Sequence, residues 1–288
     1  MTLAQALQQA ARILSINGIE DCHIEARLLL GYVTKLSTAQ IYAYREQSLT
    51  EEQEKTLREF VERRISREPT AYIVNRKEFY GLDLYVDRRV LIPRPETEIL
   101  VDTALQFARR RSLGSPFQEQ SVLIADVGTG CGAIAICLAR NLPQSRVYAI
   151  DISSEALEVA ALNCQRHKVS QRIILLCGHL LQPVPEPVDI VVANLPYVST
   201  SAFSNLSPEI TKFEPRIALD GGGDGLELID QLLRQVSNKV NPRGCLLLEI
   251  GQEQEKGVVS LINHHFNGVR FELIPDLSGI GRVAKIIF

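Results

Sequence analysis

Between positions 122 and 194 the chain alternates short apolar runs with amphipathic stretches. The runs are VLIADV, RVYAID, RIILLC and DIVVAN, and helical patterns over about 132–140 and 154–167 stand between the first three. Strands that are separated by helices cannot pair as tight hairpins, so each crossover brings the next strand in parallel and lays a helix on the sheet. The expected core is therefore an α/β, doubly wound, Rossmann-like sheet, which gathers its ligands beyond the carboxyl ends of the central strands. A helix over about 226–240, the strand GCLLLEI, a helix reaching about 265 and the closing strands VRFELI and RVAKIIF continue the pattern.

The N-terminal part reads differently. Over residues 1–70 apolar residues recur at helical spacing, as in Leu3, Leu7, Ala10 and Leu14 and again in Leu57, Phe60, Val61 and Ile65, which predicts a small helical domain. Residues 71–92 carry β-rich runs around Gly81 and read as a β-hairpin linker. The third segment, 93–288, opens with PRPETEILVDTALQFARRR, whose prolines and acids suit a first helical turn. A loop, SLGSPFQEQ, is expected before the first strand of the sheet. A chain of 288 residues with 45% apolar and 23% charged residues supports one large domain and a small one.

Charge excludes some functions. A net charge of -3 does not supply the concentrated basic face that coating DNA or RNA requires, so no stable nucleic-acid binding is expected. The clusters Arg63, Arg64, Arg67 and Arg109, Arg110, Arg111 read as solvated helix faces. Six cysteines stand singly, without a CxxC pair, as reduced and packed thiols do. The N-terminus lacks a basic region, an apolar signal core and a cleavage site, and no apolar run approaches the ~20 residues that span a bilayer. These features predict a cytoplasmic protein without membrane partners.

The chemistry begins at the turn after VLIAD. Asp126, Gly128, Gly130 and Gly132 form D-x-G-x-G-x-G between a strand and a helix. Glycines allow the tight turn, and without Cβ atoms a nucleoside ligand approaches the backbone beside the helix N-terminus. Asp151 ends the next strand about 20 residues on, where a carboxylate accepts hydrogen bonds from both ribose hydroxyls. A dinucleotide-binding dehydrogenase is the rival reading, but it wants G-x-G-x-x-G, with the third glycine packing the helix beside a pyrophosphate.

A second motif, Asn194-Leu195-Pro196-Tyr197, follows the strand DIVVA. A carboxamide or exocyclic amine nitrogen is a poor nucleophile because its lone pair is delocalised, so a catalyst for it must grip its N–H groups. The Asn194 side-chain oxygen and the Leu195 carbonyl suit that task, with Tyr197 packed against the planar group to exclude water. Such a nitrogen loses its proton after alkylation makes it acidic, so no catalytic histidine is sought. The five histidines, His23, His167, His179, His264 and His265, are scattered.

With these residues in hand, the chain resembles the protein-(glutamine-N5) methyltransferases that modify peptide-chain release factors. The segments that carry the resemblance are REPTAYIVNRKEFYGLDLYVDRRVLIPRPETE, DVGTGCGAIAICLA, ANLPYV and FEPRIALDGGGDGL. It implies a class I S-adenosylmethionine-dependent methyltransferase fold with a seven-stranded sheet. It also implies a helical N-terminal domain that helps to recognise the release factor, a linker hairpin, and the glutamine of a Gly-Gly-Gln loop as substrate. Carried onto this sequence, the resemblance places Gly128, Thr129, Gly130, Cys131, Gly132, Asp151, His179, Leu180 and Asn194 around the cofactor S-adenosyl-L-methionine. Asn194, Leu195, Pro196 and Tyr197 would hold the glutamine amide, and the turn from Arg94 to Thr97 would form the methionine-side wall. Two positions depart from the family pattern, Leu195 where N-P-P-Y is usual and His179 where an acidic residue is usual. N-L-P-Y also occurs in adenine-N6 methyltransferases acting on RNA, and a sister family methylates a ribosomal-protein glutamine, so both remain alternatives.

Overall fold

In the computed structural model residues 1–113 and 121–288 are described, and they divide into two units. The first comprises Met1–Arg76 with Ser207–Phe213, the second Lys77–Leu206 with Glu214–Phe288. The helical unit thus runs to Arg76 rather than to 70, and it takes in a short segment from far along the chain.

The helical unit holds α1 (Leu3–Ile16), α2 (Cys22–Thr34), α3 (Thr38–Ala43), α4 (Glu51–Ile65), α5 (Thr70–Ile73) and, from the distant segment, α9 in chain order (Pro208–Phe213). Three of these helices start on the same device: Thr2, Ser37 and Thr50 cap the backbone while Gln5, Gln40 and Gln53 reach back to the cap residue. Leu3, Ala10, Leu14, Leu29, Leu57 and Val61 meet in its core, as the helical spacing predicts. The arginines of α4 correct one expectation. Arg64 is 6% exposed and is bound to Glu25 and to Glu209 of α9, and Arg67 also reaches Glu209. Arg63 is paired with Glu68. A cationic pair on adjacent turns reads as solvated until its partners, distant in sequence, are known; here they are carboxylates that leave the guanidinium of Arg64 buried and satisfied.

The second unit opens with an antiparallel hairpin, β1 (Lys77–Phe79) and β2 (Leu82–Leu84). Its connecting residues Tyr80 and Gly81 have φ of 52° and 70°, the two-residue turn whose twist matches a hairpin. Helix α6 (Thr97–Leu113) follows; Ser112 and Leu113 of the expected loop end this helix, and the rest of that loop lies outside the described residues. The sheet and its helices are β3 (Leu123–Val127), α7 (Ala133–Asn141), β4 (Arg146–Asp151), α8 (Ser154–Arg166), β5 (Ile173–Cys177), β6 (Val188–Ala193), α10 (Glu227–Val236), β7 (Val240–Glu249), α11 (Glu255–His265), β8 (Arg270–Pro275) and β9 (Gly281–Ile287).

Seven strands form one sheet in the order β5-β4-β3-β6-β7-β9-β8, as the resemblance implies. The pairings from β5 through β7 are parallel, whereas β9 runs antiparallel to both β7 and β8. A short turn joins β8 to β9, and only antiparallel strands can be joined so briefly. Every residue of β6 is buried, as are Ile124 and Val127 of β3, so these central strands, apolar but for Asp126 and Asp189, are covered on both faces. No helix among the described residues is long and apolar enough to cross a membrane.

Candidate active site

The carboxyl ends of β3, β4 and β6 carry both motifs. After β3, the amides of Gly128 and Thr129 both donate to the Ile150 carbonyl at 2.9 Å, folding the turn onto β4. Gly128, Gly130 and Gly132 all have positive φ, at 75°, 54° and 83°, a region where a side chain is strained. Their surroundings differ: a Cβ on Gly128 would lie 3.3 Å from the Asn194 carbonyl, one on Gly132 would meet Ile136 and Ala160, and one on Gly130 would meet no atom within 4 Å. The Gly130 amide donates to Asp151 Oδ2 at 2.9 Å, and Oδ1 of the same carboxylate accepts from Ser153 at 2.9 Å. Burial still raises the Asp151 carboxyl above the usual range.

Beneath the turn, Asp126 is fully buried. Its Oδ2 accepts from the Thr129 hydroxyl at 2.6 Å and the Ala135 amide at 3.1 Å, whereas Oδ1 has no hydrogen-bond partner. Desolvation pushes this carboxyl up to about 7 against the help of those two donors.

Asn194 follows β6 and donates from Nδ2 to Thr97 Oγ1 at 3.1 Å. Leu195 is 5% exposed and belongs to the core cluster that includes Val127 and Val191. Tyr197 turns away: its hydroxyl donates to Glu249 Oε1 at 3.3 Å, and burial raises its phenol far above the usual value. The glycines of DGGGDGL explain how this loop is backed. A Cβ on Gly221 would lie 2.6 Å from the Pro196 carbonyl oxygen, and one on Gly225 only 2.2 Å from that of Tyr197, so both chains approach at backbone distance. Val198 pairs with Asp220 in a parallel bridge that fixes the two segments together.

A cavity of about 680 Å³ opens over these strand ends. Of the residues expected at the site, Gly128, Gly130, Asp151, His179, Leu180, Asn194, Leu195 and Pro196 line it. Arg94, Thr97, Thr129, Cys131, Gly132 and Tyr197 do not. Arg94 is ion-paired with the buried Glu214, which also accepts from the Ile92 amide at 3.2 Å. The side chains of Thr97 and Tyr197 are bound within the fold, Thr97 to Asn194 and Tyr197 to Glu249.

Sequence reasoning passed over several lining residues. Ile152 and Ile217 are 54% and 58% exposed although large and apolar, and both face the cavity with Arg89, Glu227 and Leu228. An apolar residue directly after a strand-end carboxylate was a readable signal for Ile152; Ile217 had none.

Comparison with known proteins places the chain in a family. Residues 5–74 match the PrmC N-terminal domain and residues 111–224 the methyltransferase small domain. The release factor glutamine methyltransferase of Moorella thermoacetica is 38% identical, covering 98% of this chain and 97% of that protein. Its counterpart from Koribacter versatilis is 36% identical over the same shares of the two chains, 98% and 97%. Among solved structures, the hMettl16 catalytic domain superposes with a TM-score of 0.56 at 13% identity, over 72% of this chain and 76% of that one, a likeness of fold alone.

Proposed function

Since the chain belongs to the release factor glutamine methyltransferase family, we propose that it methylates the side-chain amide nitrogen, N5, of the glutamine in the Gly-Gly-Gln loop of a peptide-chain release factor. The observation that carries this reading is the Asn194 amide: its nitrogen end is committed to Thr97, which leaves Oδ1 to accept an N–H from the substrate.

S-adenosylmethionine fits the residues of the cavity. The space over Gly130 admits a ligand at backbone distance, Asp151 offers its remaining lone pairs to ribose hydroxyls, and Ile152 and Leu180 offer apolar surface to a base. When bound, it supplies a sulfonium-activated methyl group. Asn194 Oδ1 and the Leu195 carbonyl accept the two amide N–H groups and orient the nitrogen lone pair toward that methyl. Core packing of Leu195 and the glycine loop behind Pro196 keep the acceptors fixed, so little reorganisation remains for the reaction. The helical unit is the natural reader of the rest of the release factor, and six cysteines without a disulfide suit a reducing cytoplasm.

The test is to incubate the chain with labelled S-adenosylmethionine and, separately, a release factor, a ribosomal protein and ribosomal RNA. Label on the release-factor glutamine is expected. Label on RNA adenine alone would overturn the reading. Asn194→Ala should lower turnover by about 10²-fold with the fold intact.

A further inference from the structure

The junction of β7 and α11 holds Tyr197 at three points. The Tyr197 hydroxyl donates to Glu249 Oε1 at 3.3 Å, its ring lies 3.0 Å from where a Cβ on Gly251 would stand, and its carbonyl accepts from Gln254 Nε2 at 2.9 Å. The same Nε2 donates to the Gly225 carbonyl at 3.3 Å, and Gln254 Oε1 accepts from the Gly251 amide at 2.8 Å. A backbone carbonyl can only accept and a backbone amide can only donate. The partners therefore fix which end of the Gln254 side chain is which.

The place of Tyr197 matters because of what stands two residues before it. The Leu195 carbonyl, an acceptor for the substrate amide in the proposed reaction, belongs to a peptide whose nitrogen is that of Pro196. That nitrogen carries no hydrogen, so the peptide has no donor with which to pin its own plane, and its carbonyl must stay open to the substrate. Its direction is set from the flanks. On one side Leu195 is buried and Asn194 is bound to Thr97. On the other side the bridge of Val198 with Asp220 joins the two loops to each other, and Gln254 joins both of them to the end of β7.

We infer that Gln254 is a positioning residue for the methyl transfer: by gripping the Tyr197 carbonyl from the end of β7, it fixes the direction of the Leu195 carbonyl that accepts the substrate N–H. The inference rests on the amide-methylation reading. Both ends of the side chain take part, since Oε1 on the Gly251 amide aims the group and Nε2 holds the loops. Glycine at 251 leaves the room for this approach, because a Cβ there would lie 2.8 Å from Gln254 Oε1.

Gln254→Glu and Gln254→Met test it in the full chain, through cofactor affinity by calorimetry, kcat and KM with a release factor, and thermal melts. Gln254→Glu keeps an acceptor for the Gly251 amide but turns a second carboxylate oxygen on two carbonyls, so kcat should fall about 10- to 100-fold. Gln254→Met keeps the length and removes the grip without that repulsion, so kcat should fall about 5-fold or more. In both variants KM and cofactor affinity should stay within about threefold, since Gly130 and Asp151 are held by bonds of their own. Gly251→Ala reaches the same grip from the other side. Its φ is not positive, so the added methyl acts by pushing the Gln254 side chain and the Tyr197 ring, and kcat should again fall. Combined with Gln254→Met it should do no worse than the poorer single variant, since both undo one contact. A residue that serves the fold alone would lower the melting temperature and spare turnover measured below it. Gln254→Glu with kcat within about threefold of wild type, or with a loss confined to KM or cofactor affinity, therefore overturns the inference. Should Gln254→Glu fail to fold, Gln254→Met decides, and kcat within about twofold of wild type overturns it. Wild type inactive on any amide would sink the functional reading itself, a distinct result.

Discussion

Gly130 and Asp151 are joined across the end of the sheet by a 2.9 Å hydrogen bond from the glycine amide to Oδ2, while Ser153 holds Oδ1 at the same distance. Both carboxylate oxygens are thus anchored by backbone and present their outer lone pairs to the cavity, already oriented. Asp151→Ala should weaken S-adenosylmethionine binding by roughly 1.5–3 kcal/mol, the worth of charge-assisted hydrogen bonds. Asp151→Asn, which keeps one acceptor for Gly130, should lose less. Calorimetric affinities in the reverse order, or unchanged in both variants, would remove the carboxylate from the cofactor site.

Asp126 gives a prediction in pH. Its carboxyl is pushed up to about 7 in the fold, chiefly by burial, against an ordinary 3.8. A raised carboxyl binds its proton more tightly in the folded chain than in the unfolded one. Its contribution to stability is therefore full below the ordinary value and is lost as pH rises toward 7. Asp126→Asn has no such proton, so its stability relative to wild type should improve between pH 5 and pH 8 by at least about 1.4 kcal/mol, the equivalent of one pKa unit. Denaturant titrations of both proteins at the two pH values give the difference directly. A constant gap between them would show that Asp126 is charged throughout.

The glycines of the site separate into those facing protein and those facing ligand. Gly225→Ala places a Cβ 2.2 Å from the Tyr197 carbonyl oxygen at a φ of +80°, so it should cost on the order of 1–3 kcal/mol of stability and displace the loop that carries Asn194. Gly130→Ala meets no atom within 4 Å, so it should cost only the backbone strain, about 1–2 kcal/mol, yet weaken cofactor binding because the methyl enters the cavity. Thermal melts without ligand, followed by calorimetry, distinguish the two patterns. A Gly130→Ala protein with full affinity would place the ligand elsewhere.

The central sheet was legible because its strands are short apolar runs, most of them flanked by a helical pattern, a local property. The glycine turn and Asp151 were legible for the same reason, since strand, turn, helix and acid follow one another in sequence. What escaped notice depends on distant partners. Arg64 looks solvated on α4 until Glu25 and Glu209 are brought to it. The hydrogen bond of Tyr197 to Glu249, at the end of another strand, has no local signal either. Glu214 carries no local signal for holding Arg94, although it sits in a segment already noted for its resemblance.

Leu195 stands where the family usually has proline, and its side chain alters what that exchange predicts. From sequence the position contributes only a backbone carbonyl, which either residue supplies. In the fold, however, the leucine is buried, belongs to the core cluster of the sheet, and would lie 3.4 Å from a Cβ on Gly128. It therefore fills space beneath the glycine turn. Pro196 already biases position 195 toward extended backbone, so the carbonyl should keep its direction when proline is installed. Two terms then oppose each other in Leu195→Pro. Rigidity gained in the unfolded chain is worth about 0.4–1 kcal/mol, whereas loss of buried apolar surface costs about 0.8 kcal/mol for each CH2 removed from the core. Proline has one side-chain carbon fewer than leucine, so the two terms nearly cancel and stability should change by less than about 0.5 kcal/mol. Turnover should change by less than about tenfold, with substrate unchanged, since the acceptor pair is intact. Melting curves and parallel assays on a release factor and on RNA check both halves. Glutamine methylation that appears only in Leu195→Pro would mean that this position selects the substrate, and the carbonyl alone would no longer account for it.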